Sequence, residues 1–410
     1  MKNKQNKNIE IINTRKYKDI NLYLRFSIEN KKLLKEKIAL LCKMVGDVSQ
    51  NYPTKLQMTR RRDMLYGISC NTSYKVRANI ITFSLHFSFI NPKFVATTID
   101  EYNDYIKEVL YNSIIDDKTL DEAKRTIKAA LARKIDKPSS LVNERFIEIV
   151  SRDNDAFNIY SENKTFIKNI DKIKLKDVVK TYKDIVNNAQ LNIYLCGDIN
   201  NKIISKLTNY NFDDRKQVKL KNTKIICKQK KRIVDRKDIS QTYLAVVYSC
   251  PYNKNHKDYF AWFIANIFLG VVPTSLLFSE LREKMSLCYD VRCIDYKHEG
   301  LVKIITSIDS KNVDIAIKEI KKQVERLINK DYDLSQLEIA KTLMCNTLMG
   351  TYDDLDALVN YYYESMLSNF NYSIEEYSNN LMKVTADDIS QVIKKYNHYF
   401  DYVLLGNKHE

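Results

Sequence analysis

Two stretches decide how this chain is organised, Leu22-Tyr-Leu-Arg-Phe-Ser-Ile28 and Tyr243-Leu-Ala-Val-Val-Tyr-Ser-Cys250. Both are runs of β-branched and aromatic residues, which read as strands. The pair Phe26-Ser27 overlays Tyr248-Ser249 at an offset of 222 residues. Each run is followed by a segment with helical apolar period, Leu33 to Val45 and Tyr259 to Leu269, and each segment stops at a glycine, Gly46 or Gly270. Glycine suits a helix C-cap because it adopts the left-handed conformation at little cost.

The correspondence extends outward. Ile80-Ile81-Thr82 precedes Ile304-Ile305-Thr306 by 224 residues, and Lys93-Phe94-Val95 precedes Lys311-Asn312-Val313 by 218. The latter pair opens a long amphipathic helix in each half, at 93–112 and 311–328. Ala123-Lys124 and Leu141-Val142 lie 217 before Ala340-Lys341 and Leu358-Val359. The helix start Ile173 to Val178 lies 211 before Val384 to Ile389, and both halves close on a strand ending in glycine, at Gly197 and Gly406. Matches in one order with a smoothly drifting offset mark a duplicated unit. The order strand, helix, strands, long helices, strand predicts an α+β fold, a mainly antiparallel sheet with helices on one face in each unit. The expected boundaries are 1–215 for the first unit, 216–238 for a connection carrying the basic run Lys228 to Arg232, and 239–410 for the second.

Composition agrees with a globular chain. Of 410 residues, 44% are hydrophobic and 29% charged, which excludes disorder, collagen and a membrane-embedded bundle. The net charge of +16 comes from lysines spread along the whole chain, so it defines no nucleic-acid groove. No secretory signal is visible in Met1 to Lys18, and the apolar run Phe260 to Val272 is broken by Asn266 and too short to span a bilayer. Eight cysteines without a C-x-x-C, the closest pair being Cys288 and Cys293, read as buried thiols in a reducing compartment. These observations point to a cytoplasmic protein with no membrane insertion.

Within the second unit, Leu276-Leu277-Phe278-Ser279-Glu280-Leu281-Arg282-Glu283-Lys284-Met285-Ser286-Leu287-Cys288-Tyr289 resembles the signature segment of insulinase/pitrilysin-type metallopeptidases. Val384 to Ile389 followed by Leu405-Gly406 resembles the close of that family's domains. The resemblance implies that the two units form half of a clamshell. It also implies an inverted zinc motif, H-x-x-E-H, on the first helix of the first unit, where two imidazoles one turn apart share a zinc ion and the glutamate takes a proton from its water. The corresponding helix here reads Lys37-Ile38-Ala39-Leu40-Leu41-Cys42-Lys43-Met44-Val45-Gly46 and contains no histidine. The chain's histidines are 86, 256, 298, 398 and 409, none of them at that spacing. His86 is expected on a strand and the others in loops or at the C-terminus, all structural or solvent-facing. The chain alone is therefore expected to hold no metal and to have no peptidase activity.

In two-subunit members of the family an Arg and a Tyr of the second unit hold the substrate, and the resemblance places that pair on Arg282 and Tyr289. Guanidinium and phenol donors aimed at a developing oxyanion stabilise it without a metal of their own. The repeat supplies a control, since at the same offset Arg282 falls on Arg60 but Tyr289 on Gly67. The loop before the segment, Gly270 to Ser275, has one glycine where the family is glycine-rich, implying looser backbone approach to a ligand.

The expected function is thus a non-catalytic subunit that pairs with a homologous H-x-x-E-H subunit carrying zinc and supplies Arg282 and Tyr289 in trans for peptide processing. Leader-peptide removal from a ribosomally made modified peptide is one such role. Alternatives are a peptide- or partner-binding scaffold without protease activity, or a factor associated with elongation-factor P modification. The basic surface favours acidic peptide segments in a salt-sensitive way. Asp353, Asp354 and Asp356 lack cation-loop spacing and read as a helix start. The run Tyr361-Tyr362-Tyr363 reads as part core, part surface.

Overall fold

The computed structural model describes residues 8–135, 137–210, 215–223, 225–228 and 232–406. His409 and the middle of the run Lys228 to Arg232 lie outside these residues. The chain divides into two units, one of Met1–Ile135 with Ile159–Leu220, the other of Asp136–Asn158 with Lys221–Glu410.

The first unit contains β1 (Ile9–Asn13), β2 (Asp19–Glu29), α1 (Leu34–Met44), α2 (Lys55–Met64), β3 (Ser69–Arg77), β4 (Ile80–Ile90), α3 (Ile99–Asn112) and α4 (Asp117–Ile135). After α5 (Pro138–Ser151), which belongs to the other unit, it resumes with α6 (Lys164–Lys172), α7 (Leu175–Asn188), β5 (Gln190–Gly197) and α8 (Asn201–Leu207). Its sheet order is β1-β5-β2-β4-β3, with only the β1–β5 pair parallel. Alternation on β2 sends Leu22, Leu24 and Phe26, all fully buried, to one face. There Leu22 pairs with Phe87 and Leu195, and Phe26 with Phe83 and Leu191, so three adjacent strands build one apolar layer under the helices.

The second unit contains β6 (Ile233–Arg236), β7 (Thr242–Ser249), α9 (Tyr259–Gly270), a π-helical segment (Phe278–Lys284), β8 (Cys288–Tyr296), β9 (Leu301–Ile308) and α10 (Val313–Asn329). It continues with α11 (Leu334–Met349), α12 (Leu355–Ser368), α13 (Ile374–Met382), α14 (Ala386–Ile393) and β10 (Asn397–Leu405). Its order, β6-β10-β7-β9-β8, repeats the first sheet strand for strand, again with one parallel pair at one edge. The α+β fold of two homologous, mainly antiparallel units is therefore what the chain adopts. Inside the stretch 216–238, Ile233–Arg236 forms β6, the counterpart of β1.

The two glycines that end the first helix of each unit do different things. Gly46 has φ +81°, the left-handed turn expected of a C-cap. Gly270 is the last helical residue and is there for space, because a Cβ would meet the Cβ of Cys293 and Cδ1 of Leu277 at 3.0 Å. At the other end of the unit, Thr385 closes a capping box with Asp388 ahead of α14. Thr385→Ala is expected to cost about 1 kcal/mol in urea denaturation, while Thr385→Ser leaves stability unchanged.

The sequence repeat does not announce where α5 goes. Phe146, fully buried, sets its ring 5.6 Å from Phe157, 5.2 Å from Tyr296 of β8 and 6.3 Å from Phe400 of β10. On β7, Leu244 and Val246 belong to the core under the helices, whereas Ala245 and Val247 point the other way and are equally buried. A segment encoded in the first half thus lies on the second sheet's opposite face.

Candidate functional site

On α1, the helix corresponding to the zinc helix, Ile38, Leu40 and Leu41 are fully buried in the first unit's core. Lys35 and Glu36 at its start are committed to holding the chain. Lys35 Nζ donates to the carbonyls of Ile159, at 2.8 Å, and Ser161, and lies 4.9 Å from the Phe166 ring centre. Glu36 accepts from Asn169 Nδ2 at 2.8 Å. A divalent cation on this helix would shed its water against hydrocarbon and receive no ligand, so these residues do not fit a zinc ion. Among the described residues no group of three His, Cys, Asp or Glu side chains could hold a metal.

The described histidines are occupied locally. His86, on β4, stacks on Tyr23 at 4.0 Å and pairs with Asn21 at 2.9 Å. His256 accepts from the Asp258 backbone, and His298 faces Asn222 in the turn after β8. His398, expected in a loop, is instead on β10, with Nε2 2.7 Å from Asp401. Burial pushes the thiols of Cys42, Cys70 and Cys250 up to about 12, which keeps them protonated and unreactive at neutral pH. Asp354 caps α12 through the Ala357 amide, and Tyr363 is core while Tyr361 and Tyr362 are half-buried.

The second unit brings Arg282 and Tyr289 together. Leu276 and Leu277 start a helical turn that widens into the π-helical segment, where the Met285 amide reaches back to the Glu280 carbonyl at 3.0 Å. Single π turns recur at functional sites. Ser286, at φ +50°, then reverses the chain into β8. The β8–β9 ladder shifts register between Cys288 and Val291, so Tyr289 sits in an irregularity that re-aims its side chain, and it is 79% exposed. The guanidinium of Arg282 lies 4.5 Å from the ring centre of Phe278 and 5.0 Å from that of Tyr289. This aromatic contact orients the cation without neutralising it. On the same segment Glu280 is paired with Lys284 at 2.7 Å. Arg282 has no ion-pair partner among the described residues, and Tyr289 presents its hydroxyl to solvent. The arrangement can donate hydrogen bonds to a carbonyl, carboxylate or oxyanion from two directions. The π turn and the strand irregularity carry no sequence signal, whereas the seven-residue spacing of Arg and Tyr does.

The chain's residues 172–344 match the family model described as "Peptidase M16 inactive domain". Over 97% of the chain and 95% of the relative, it is 24% identical to a Bacillus subtilis protein described as "Probable inactive metalloprotease YmfF". Over nearly its whole length the chain is thus similar to an inactive metalloprotease, and over its middle to an inactive domain of the M16, insulinase-type peptidases. The similarity to proteins described as inactive accords with the leucines that fill α1 here. Solved structures share the fold of this chain. A conserved protein from Enterococcus faecalis superposes with a TM-score of 0.86 at 22% identity, covering 98% of this chain and 97% of that one. A peptidase M16 inactive domain from Pseudomonas fluorescens does so with a TM-score of 0.75 at 15% identity, covering 98% and 97%. No helix among the described residues is long and apolar enough to cross a membrane.

Proposed function

We propose that this chain is the non-catalytic subunit of a two-subunit zinc metallopeptidase of the cytoplasm, pairing with a homologue that carries H-x-x-E-H and zinc. Arg282 and Tyr289 act in trans, holding the substrate carbonyl at the partner's metal centre. The observation that carries the reading is an unpaired, aromatic-held guanidinium beside an exposed phenol, in a chain whose own zinc helix is filled with leucine. An arginine kept without a carboxylate partner remains available to an incoming oxygen. The substrate is a peptide, with processing of a ribosomally made peptide as the proposed role and an acidic segment favoured by the +16 charge.

The test is a tagged pull-down from the native host, with mass spectrometry and a zinc assay on the eluate. A stoichiometric H-x-x-E-H homologue and about one zinc per pair is the expected result. A metal-free chain, alone or with an unrelated partner, would overturn the protease reading in favour of a scaffold.

A further inference from the structure

A cavity of about 1030 Å³ lies within the second unit, at the end of its sheet where β7 stops and β9 and β10 start. Its lining shares no residue with the segment Phe278 to Tyr289. The stretch ahead of β6 supplies one wall through Asn222, Thr223, Ile225 and Cys227. That wall is tied down at three places. The Thr223 amide donates to the His298 carbonyl at 2.9 Å, and Asn222 Nδ2 donates to Asn253 Oδ1 at 3.1 Å. The backbone of Ile226 exchanges two hydrogen bonds with the Asn154 side chain, at 2.7 and 3.0 Å. Gly300, at φ +66°, fixes the strand ends beside the cavity, because a Cβ there would meet the Cys250 carbonyl oxygen at 2.4 Å. A space of this size suits a small molecule and not merely a bound water.

The lining combines two kinds of surface. Ile225 and Pro251 are aliphatic and Tyr252 and Tyr396 add rings, whereas Thr223, Asn253 and Lys395 bring donors. Lys395 Nζ lies 5.8 Å from the Tyr252 ring centre and has no ion-pair partner among the described residues. Asn253 Oδ1 already accepts from Asn222 and from the Asn255 amide, at 3.1 and 3.0 Å, which leaves the Nδ2 protons to give. The Thr223 hydroxyl makes no hydrogen bond among the described residues. The other ionisable groups are engaged, His398 Nε2 being 2.7 Å from Asp401 and Glu299, 6% exposed, having an interaction of its own. An unpaired ammonium among neutral donors suits an oxyanion, and the apolar walls suit an organic body removed from water. We infer that this cavity binds a small organic anion, a carboxylate or phosphate ester with a ring-sized apolar body, whose oxyanion is held by Lys395, Asn253 and Thr223. The site stands independently of the proposed function.

The test is isothermal titration calorimetry of the full chain with 1-naphthoate and with 1-naphthyl phosphate, neutral 1-naphthalenemethanol serving as the control. At least one anion is expected to bind at a single site, at least about tenfold more tightly than the alcohol. The stronger of the two anions tells whether the site takes a carboxylate or a phosphate ester. Lys395→Glu lowers that affinity at least about tenfold and Lys395→Arg retains it. Neither change disturbs the fold, since the Lys395 side chain is exposed and makes no hydrogen bond among the described residues. Thr223→Trp, which fills the cavity from its half-buried wall, abolishes binding, and Arg282→Ala leaves it unchanged. Absence of saturable binding by both anions, or an alcohol that binds as tightly, overturns the inference. Binding that survives Lys395→Glu overturns it as well, and loss on Arg282→Ala would move the anion to the Arg282 site and leave the proposed function standing.

Discussion

In the proposed two-subunit enzyme, Arg282→Ala is expected to lower kcat by about 10²- to 10³-fold, the loss seen when one preorganised oxyanion donor is removed. The substitution leaves the fold intact, because Arg282 is half-buried and makes no ion pair among the described residues, only contacts with the rings of Phe278 and Tyr289. The effect should fall on kcat more than on KM, since the guanidinium gains most as negative charge develops on the substrate oxygen. Arg282→Lys restores part of the rate, because an ammonium supplies charge but not the planar donor fork. Tyr289→Phe gives a smaller loss and keeps the ring that orients Arg282. Steady-state kinetics of the complex, with zinc content and subunit stoichiometry held at wild-type values, make the measurement. Unchanged turnover in Arg282→Ala would remove this residue from the reaction.

Lys303→Met should make the second unit more stable at neutral pH, although it deletes two hydrogen bonds. Lys303 is 2% exposed on β9, with Nζ 2.8 Å from Asn143 Oδ1 and 3.1 Å from the Tyr296 hydroxyl, above the ring of Phe146 at 4.5 Å. It has no carboxylate partner among the described residues, and burial lowers its pKa to about 8 from 10.5. The folded state therefore carries an ammonium that the interior disfavours, at a cost of about 3 kcal/mol wherever both states are protonated. The sign follows from proton counts. Between pH 8 and 10.5 the unfolded chain binds the proton that the folded chain has released, so wild-type stability rises with pH across that window and the cost is present in full below it. Losing the bonds to Asn143 and Tyr296 offsets part of the gain, about 1 kcal/mol each. The net expectation is a gain of about 1–2 kcal/mol over wild type at pH 7, shrinking as pH approaches 10. Paired urea titrations of the two proteins at several pH values read the difference directly, and a gap that widens with pH would contradict the argument. Lys303 and the α5 residues Asn143 and Phe146 form one contact, so the same substitution probes how firmly α5 is held.

Much of the architecture was legible in the order of residues. The strands at Leu22 and Tyr243 fall in the centres of their sheets, and the Ile80 and Ile304 stretches form the neighbouring strands. These elements announce themselves because alternation and helical period are local, and a duplicated unit displays each of them twice. The helix expected from Lys93 starts at Ile99 instead, after a short 3-10 turn at Pro92–Phe94, because Thr98 and Glu101 close a capping box there. β6 escaped notice because four residues with half-buried alternation carry little signal, and its pairing partner β10 lies more than 160 residues away.

The sequence by itself determined the duplication, the α+β class, the absence of a zinc motif on α1 and the seven-residue spacing of Arg282 and Tyr289. All of these are relations between residue types at fixed separations along the chain. Tertiary structure alone decided that Arg282 is held by Phe278 and Tyr289 without an acid, that Gly270 is kept for its closeness to Cys293, and that α5 covers the second sheet. Those depend on which surfaces meet across long separations, where packing and burial, not local propensity, set the outcome.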